Sequence, residues 1–309
     1  MILKKGSSGD GVRLLQEFLG IKIDGVFGEK THKAVKEYQS YNNLVVDGIV
    51  GPKTWDVMGI ATTDNSESIY EVYNGLDIEK YYLPKGEYKV GPTDKEYLFI
   101  HHTAGWHNPY NTIDSWGRDS RGTVATEFLI GGQSIKNDEF EFDGKVLQAF
   151  PDGGYGWHLG KNGSQHMHTH SVGVEVNNFG YLTKGGYKKR GVWVDKNPNG
   201  FYTYAGSLVD SNQIVELETA FKGYSHWHKY SDAQIESLRL LILYLGERDG
   251  IDIRAGLPAL VKEKGATAFE WNEDAYYGKV KGVWTHTNTR KDKFDMFPQQ
   301  ELLDMLMSL

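Results

Sequence analysis

Two stretches near the start of the chain repeat one another. Asp24-Gly-Val-Phe-Gly28 with Thr31 returns as Asp47-Gly-Ile-Val-Gly51 with Thr54, so Asp24 and Asp47 set an offset of 23 residues. A period this short implies two small units stacked on one shared core, because neither has enough apolar surface to fold alone. In each Asp-Gly pair, glycine supplies the positive φ of a tight turn. Between the turns, Val12, Leu15, Phe18 and Leu19, then Ala34, Val35 and Tyr38, recur at three-to-four-residue spacing, which predicts helices. A small all-α, three-helix unit over residues 1–61 follows.

These residues resemble the peptidoglycan-binding type 1 domain. The resemblance rests on Leu3-Lys-Lys-Gly-Ser-Ser-Gly-Asp-Gly-Val12, Leu15-Gln16, Asp24-Gly25, Phe27-Gly28, Thr31, Ala34-Val35, Gln39 and Asp47-Gly-Ile-Val-Gly-Pro-Lys-Thr-Trp55. It implies bacterial peptidoglycan as a partner. Residues 62–76 open with a polar stretch and are expected to be a linker, with the boundary near Thr62. Residues 77–309 are then left for a second, larger domain.

The formal net charge of −7 offers no broad basic field for phosphates, so nucleic acid is not an expected partner. No run approaches the ~18–20 apolar residues that a bilayer-spanning helix needs, so membrane insertion is not expected either. The opening Met1-Ile-Leu-Lys-Lys-Gly-Ser lacks the apolar core of a secretory signal, which predicts residence in the cytoplasm until release. The chain has no cysteine. Disulfides, thiol nucleophiles and thiolate ligands are thereby excluded, and zinc here would need histidine nitrogen and carboxylate oxygen. Nineteen Tyr, thirteen Phe and eight Trp suit carbohydrate-facing surfaces, yet packing explains most of them equally well.

In the larger domain, Tyr97–His101, Glu127–Ile130, Val146–Phe150 and Val172–Asn177 read as strands. The strongest helix runs from about Asp232 to Arg248. It is capped by Ser231 or Asp232, and Ile235, Leu238, Leu241, Ile242 and Leu245 form its apolar stripe. A closing helix is expected to start at Pro298 and to carry Leu302, Leu303 and Leu306. Strands alternating with helices predict an α/β domain with a mixed central sheet flanked by helices. The stretch 184–230, rich in Gly, Lys, Asn and aromatics, shows weak periodicity and reads as an insertion or long loop system, of the kind that often serves as a lid or binding loop.

Three segments carry candidate chemistry: Phe99-Ile-His101-His102-Thr103-Ala-Gly105, Ser171-Val-Gly-Val-Glu175-Val-Asn, and Trp284-Thr-His286 followed by Arg290-Lys-Asp-Lys293-Phe-Asp295. On a strand, Val172, Val174 and Val176 share one face and Glu175 takes the other. Catalytic zinc uses three protein ligands and keeps a fourth position open. His101, His286 and Asp295 can supply those ligands. Glu175 then suits proton transfer and Lys293 suits neutralising an oxyanion. Asp292 and Lys291 are rival candidates for the carboxylate and the cation.

At these residues the chain resembles the zinc-dependent N-acetylmuramoyl-L-alanine amidases of type 2, from about Tyr97 to Pro298. The resemblance implies one zinc ion on His101, His286 and Asp295, with Lys293-Phe-Asp295 matching the family's Lys-x-Asp, and it implies Glu175 as the catalytic carboxylate. Trp157-His158-Leu-Gly160 matches a Trp-His-x-Gly segment, which implies substrate contact by Trp157 and His158, with Thr103 beside them. Some phage members have a catalytic tyrosine just before the strand that here reads Thr126-Glu127-Phe-Leu-Ile130, so that role is absent or moved. The implied activity is cleavage between N-acetylmuramic acid and L-alanine by a monomeric phage endolysin. A bacterial autolysin, a non-catalytic recognition protein and a stem-peptide hydrolase are the alternatives.

Other histidines have plainer readings. His166, His168 and His170 alternate and on a strand would share a face, suiting a second metal or, better, a polar loop near substrate. His226-Trp-His228 reads as packing. His102 points away from His101 and reads as outer support for the ligands.

Overall fold

A computed structural model describes residues 2–42, 44–58, 70–120, 122–136, 139–160 and 163–309. The chain divides into two compact units, Met1–Ile69 and Tyr70–Leu309.

In the first unit the helices are Asp10–Phe18, Glu29–Tyr41 and Pro52–Met58. Leu3, Val12, Leu15, Phe27, Val35, Val50, Trp55 and Met58 form one buried cluster, as the shared-core reading of the repeat requires. The repeat has a specific cause. Gln16 Nε2 donates to Asp24 Oδ1 (2.8 Å), the Val26 carbonyl (3.0 Å) and Thr31 Oγ1 (3.0 Å), while its Oε1 accepts from the Gly25 N–H (2.8 Å). Gln39 does the same one repeat later, donating to Asp47 Oδ1 (2.7 Å), the Ile49 carbonyl (2.8 Å) and Thr54 Oγ1 (3.4 Å) and accepting from the Gly48 N–H (2.8 Å). Each buried amide thus satisfies a whole Asp-Gly turn, whose glycine has φ of +71° at Gly25 and +74° at Gly48.

The second unit is built on a seven-stranded sheet. Its strands in chain order are β1 (Tyr70–Tyr73), β2 (Leu76–Lys80), β3 (Tyr97–His102), β4 (Phe128–Ile130), β5 (Val146–Gln148), β6 (Ser171–Val176) and β7 (Gly282–Thr285). In space they lie in the order β1-β2-β5-β4-β6-β3-β7. Pairs β1–β2 and β4–β5 are antiparallel and the other four are parallel, so the sheet is mixed as expected. The central strands β3 and β6 are buried almost throughout, which is why they read as near-continuous apolar runs. The helix Asp232–Asp249 lays Leu238, Leu241, Ile242 and Leu245 on the core, and Ser231 with Gln234 forms its capping box.

Several sequence expectations are corrected. Residues 70–76, assigned to the linker, form the β1–β2 hairpin, so the larger unit starts at Tyr70 rather than at 77; residues 62–69 lie outside the described residues. The closing helix is Gln300–Ser308, and Pro298 precedes it. Stretch 184–230 is no loose loop: it folds into hairpins Gly186–Lys189 with Val192–Asp195 and Ile214–Phe221 with Tyr224–His228, and Phe201–Tyr202 pairs with Thr183–Lys184. Gly- and Lys-rich sequence hides the short, exposed strands up to Asp195, whereas Ile214–Phe221 carries Val215, Leu217 and Phe221 at a period of two that marks it as a strand.

Two predictions follow from this packing. Gln39→Ala removes the partner of the Gly48 N–H and should cost about 1–3 kcal/mol, read as faster hydrogen exchange at Gly48 and a lower unfolding midpoint of the first unit. His228 is fully buried, with Nδ1 accepting from the Phe179 N–H (3.2 Å) and Nε2 facing Gln213 Oε1 (3.3 Å). Burial, helped by neighbouring His102, pushes it from 6.5 down to about 3. Between those values the unfolded chain binds a proton that the folded one refuses. The stability this gives is complete above pH ~6.5 and is lost as the pH falls towards ~3. Stability should decline from pH 7 to 5, and His228→Asn should flatten that decline by up to about one proton; an unchanged slope would place the titration elsewhere.

Candidate metal centre

Parallel register sets the level of each site residue. In β3 and β6 His101 stands opposite Glu175, and in β3 and β7 Ile100 stands opposite Thr285. The next residue, His286, opens the short helix His286–Thr289 beside His101. Asn288 pins that corner: its Oδ1 accepts from the Thr285 N–H (3.0 Å) and its Nδ2 donates to the Ala268 and Glu270 carbonyls (2.8 Å each). The Thr287 N–H then donates to the Asp295 carbonyl (3.1 Å) and brings that aspartate back to the histidines.

The outcome is a triangle of donors. His101 Nδ1 is 3.1 Å from His286 Nδ1 and 3.2 Å from Asp295 Oδ2, and His286 Nδ1 is 3.0 Å from the same oxygen. Tetrahedral zinc with ~2.0–2.1 Å bonds sets its ligand atoms ~3.3–3.4 Å apart, so two imidazoles and a carboxylate this close fit the donor set of a zinc site. Among the described residues these three are the group gathered closely enough to hold a metal. Burial holds His101 down at about 4, and thus in the neutral form that ligation needs. Burial alone would push Asp295 up, but the two histidines facing its oxygen, His286 first and then His101, outweigh it and hold the carboxyl well below its ordinary value.

Behind the triangle lies a second layer. His101 turns Nε2 to His158 Nδ1 (3.1 Å), and His158 Nε2 meets Ser171 Oγ (2.8 Å). With Nδ1 of His101 kept free as a ligand, its Nε2–H donates to His158, whose own Nε2–H donates to Ser171. This chain fixes the His101 tautomer and ring plane. Gly173 makes room for it, since a Cβ there would come within 2.8 Å of Thr126 Cγ2 and 3.2 Å of His158 Cγ. His158 therefore stands behind a ligand, with both nitrogens engaged. Ser171 was visible in the sequence only as the first residue of the Glu175 strand, and nothing there signalled its partner.

Glu175 lies on the His101 face of the sheet, and its Oε2 is buried without a hydrogen-bond partner. Burial, with Asp295 nearby, raises its pKa well above the ordinary value, while Lys293 opposes the shift. Lys293 is half-exposed. The rivals are elsewhere: Asp292 is paired with Arg290 (2.6 Å), and Lys291 lies 4.4 Å over the Trp271 ring. Trp157 is half-buried with its ring edge-on to His168 (4.7 Å), and Thr103, directly after β3, accepts from the Asn178 N–H (3.3 Å).

His102 points to the opposite face, where Nδ1 meets Tyr230 OH (2.8 Å), so it touches none of the three ligands. His166, His168 and His170 fall on the helix Gln165–Thr169 and its cap rather than on a strand, which separates them: His166 and His170 stack at 3.9 Å while His168 turns inward. Trp227 is fully buried and His226 stacks on Phe201 at 4.3 Å, in keeping with a packing role. At the position of the missing tyrosine, Thr126 is buried, and Glu127 pairs with Arg248 (2.7 Å).

The family profile described as N-acetylmuramoyl-L-alanine amidase matches residues 91–292. The chain belongs to this family. A peptidoglycan binding domain profile matches residues 8–58. Among curated relatives of this amidase-family chain, the zinc D-Ala-D-Ala carboxypeptidase of Streptomyces albus G is 42% identical over 83 residues, 24% of this chain and 32% of that protein. The spore cortex-lytic enzyme of Halalkalibacterium halodurans is 43% identical over 58 residues, 17% of this chain and 18% of that protein. The chain thus spans less than two thirds of the length of the curated relatives it matches. The solved structure of PlyL is 12% identical, with 71% of this chain and 86% of that chain covered at a TM-score of 0.37. The Burkholderia AP3 phage endolysin is 36% identical over 21% of this chain and 27% of that chain, at a TM-score of 0.19. No helix among the described residues is long and apolar enough to cross a membrane.

Asp295→Asn and His286→Ala should each abolish stoichiometric zinc retention after dialysis, with the fold intact by circular dichroism. Asp292→Asn should retain one zinc per chain, measured by atomic emission.

Proposed function

We propose that this chain hydrolyses the amide between the lactyl group of N-acetylmuramic acid and L-alanine in peptidoglycan. The observation that carries the reading is the convergence of His101, His286 and Asp295 beside a buried carboxylate, Glu175, that has an oxygen without a partner. Zinc held by the three donors would supply Lewis acidity at the scissile carbonyl and at the water.

The other roles belong to the chain. Glu175 accepts the proton from the attacking water and delivers it to the departing amine of L-alanine, and its raised pKa suits a group that must hold a proton between those two events. Lys293 offsets the negative charge that develops on the carbonyl oxygen. Ser171 and His158 hold His101 in the ligating tautomer. Substrate contacts are assigned to Trp157, which precedes His158, and to Thr103 at the end of β3.

The first unit serves as an anchor in this proposal. Docking on an insoluble polymer raises the local substrate concentration for a tethered enzyme without adding a contact at the reacting bond. That pairing suits a phage endolysin, the setting we propose, in which a monomer waits in the host cytoplasm for access to the wall; it suits a bacterial autolysin equally. Expression in a bacterial cytoplasm distinguishes them: an endolysin lyses the cells only after the membrane is permeabilised, and lysis without that treatment would favour an exported autolysin.

Digestion of purified peptidoglycan should release new L-alanine amino termini from intact glycan strands by mass spectrometry, and chelation should stop it. New termini elsewhere in the stem would make it a peptidase. Glu175→Gln should retain zinc and wall binding while losing at least ~10²-fold in rate; a near-native rate would remove Glu175 from the mechanism.

A further inference from the structure

The hairpin Ile214–Phe221 with Tyr224–His228 belongs to the stretch left without a role above. Its contacts run along one line of the polypeptide that carries Lys293 and Asp295. Lys222 Nζ donates to the Lys291 carbonyl (3.4 Å). Tyr224 lies 6.0 Å ring to ring from Phe294. Trp227 stacks on Phe297 at 4.5 Å and 22°. Residues 222, 224 and 227 therefore meet 291, 294 and 297, on both sides of Asp295.

Tyr181 completes the arrangement. It follows the Glu175 strand, stacks on Tyr224 with centroids 4.0 Å apart and planes at 20°, and lies 5.3 Å from Phe294. The two tyrosines are tied to one framework, because Tyr181 bridges to Trp227 and the Leu182 N–H donates to the His226 carbonyl (2.9 Å). Phe294 is the one residue between Lys293 and Asp295. With its ring against that pair, the backbone on either side cannot rotate without breaking an aromatic contact, and such contacts are individually worth about 0.5–1.5 kcal/mol beyond their burial.

We propose that the Tyr181–Tyr224 stack is a positioning element for the ligand loop: by seating Phe294 it holds the Asp295 carboxylate on the two histidines and aims the Lys293 ammonium. The stretch 184–230 then acts as a buttress of the metal centre. The inference rests on the zinc reading of that centre, but not on which bond is cut.

The test uses the full chain. Tyr224→Ala should weaken zinc binding by about 10–100-fold in competition with a chromogenic chelator, the range typical for loss of an outer-layer support. In the zinc-free protein the same change should speed hydrogen exchange over residues 287–296, the Thr287 N–H included. Tyr224→Phe keeps the ring and should restore both. Tyr181→Leu should reproduce the defect and serves as the second variant if Tyr224→Ala fails to fold. Native zinc affinity and native exchange in the folded variants would overturn the proposal. A wild-type chain that binds no zinc would instead sink the reading of the centre, and this inference with it.

Discussion

Everything at the site depends on parallel strand pairing. Because β3 lies between β6 and β7 in fixed register, His101 is level with Glu175 on one side and with the end of the Thr285 strand on the other. A slip of one residue in either pair would turn a site side chain to the opposite face of the sheet. The near-complete burial of β3 and β6 guards against such a slip, since the valines of β6 would have to leave the core. The geometry of the donors is thus underwritten by hydrophobic packing some distance from any of them.

Burial also tunes the chemistry, and it acts differently on each group. It keeps His101 neutral, and it makes Glu175 reluctant to ionise. Asp295 experiences the same desolvation yet stays charged, because two imidazoles face its oxygen within 3.2 Å. Two carboxyl groups in one cleft are thereby pushed apart in acidity, one towards holding a proton and the other towards holding a cation.

The sequence was legible where local pattern and chemistry coincide. Valine alternation placed Glu175 on the face opposite the core, and the 23-residue repeat gave a shared helical core. The absence of cysteine narrowed the donors only to histidine and carboxylate; the triad was named through the resemblance, whose Lys-x-Asp match set Asp295 above its rival Asp292. What could not be read was anything decided by contacts across long separations. His158 was recognised as a motif residue, yet that it supports His101 depends on Ser171 and Gly173 arriving beneath it. The shared face that the His166–His170 alternation would have on a strand does not exist, because a period of two carries no such meaning on one short turn of helix. Stretch 184–230 read as a loop system because its first strands are short and partly exposed, whereas the hairpin that follows puts Leu217, Phe221 and Trp227 into the main core through contacts distant in sequence.

The donors are unevenly distributed along the chain. His286 and Asp295 lie nine positions apart in one loop, while His101 comes from a strand 185 residues earlier. An ion shared by all three is therefore a clasp between the early and late parts of the unit as well as a reagent. The local pair is available as soon as its loop closes, whereas the third ligand arrives only when the sheet is assembled, because closing so long a span costs the chain entropy that only complete packing can offset. Full-strength cation capture is thus coupled to completion of the fold, and a partly folded chain is a poor scavenger of metal.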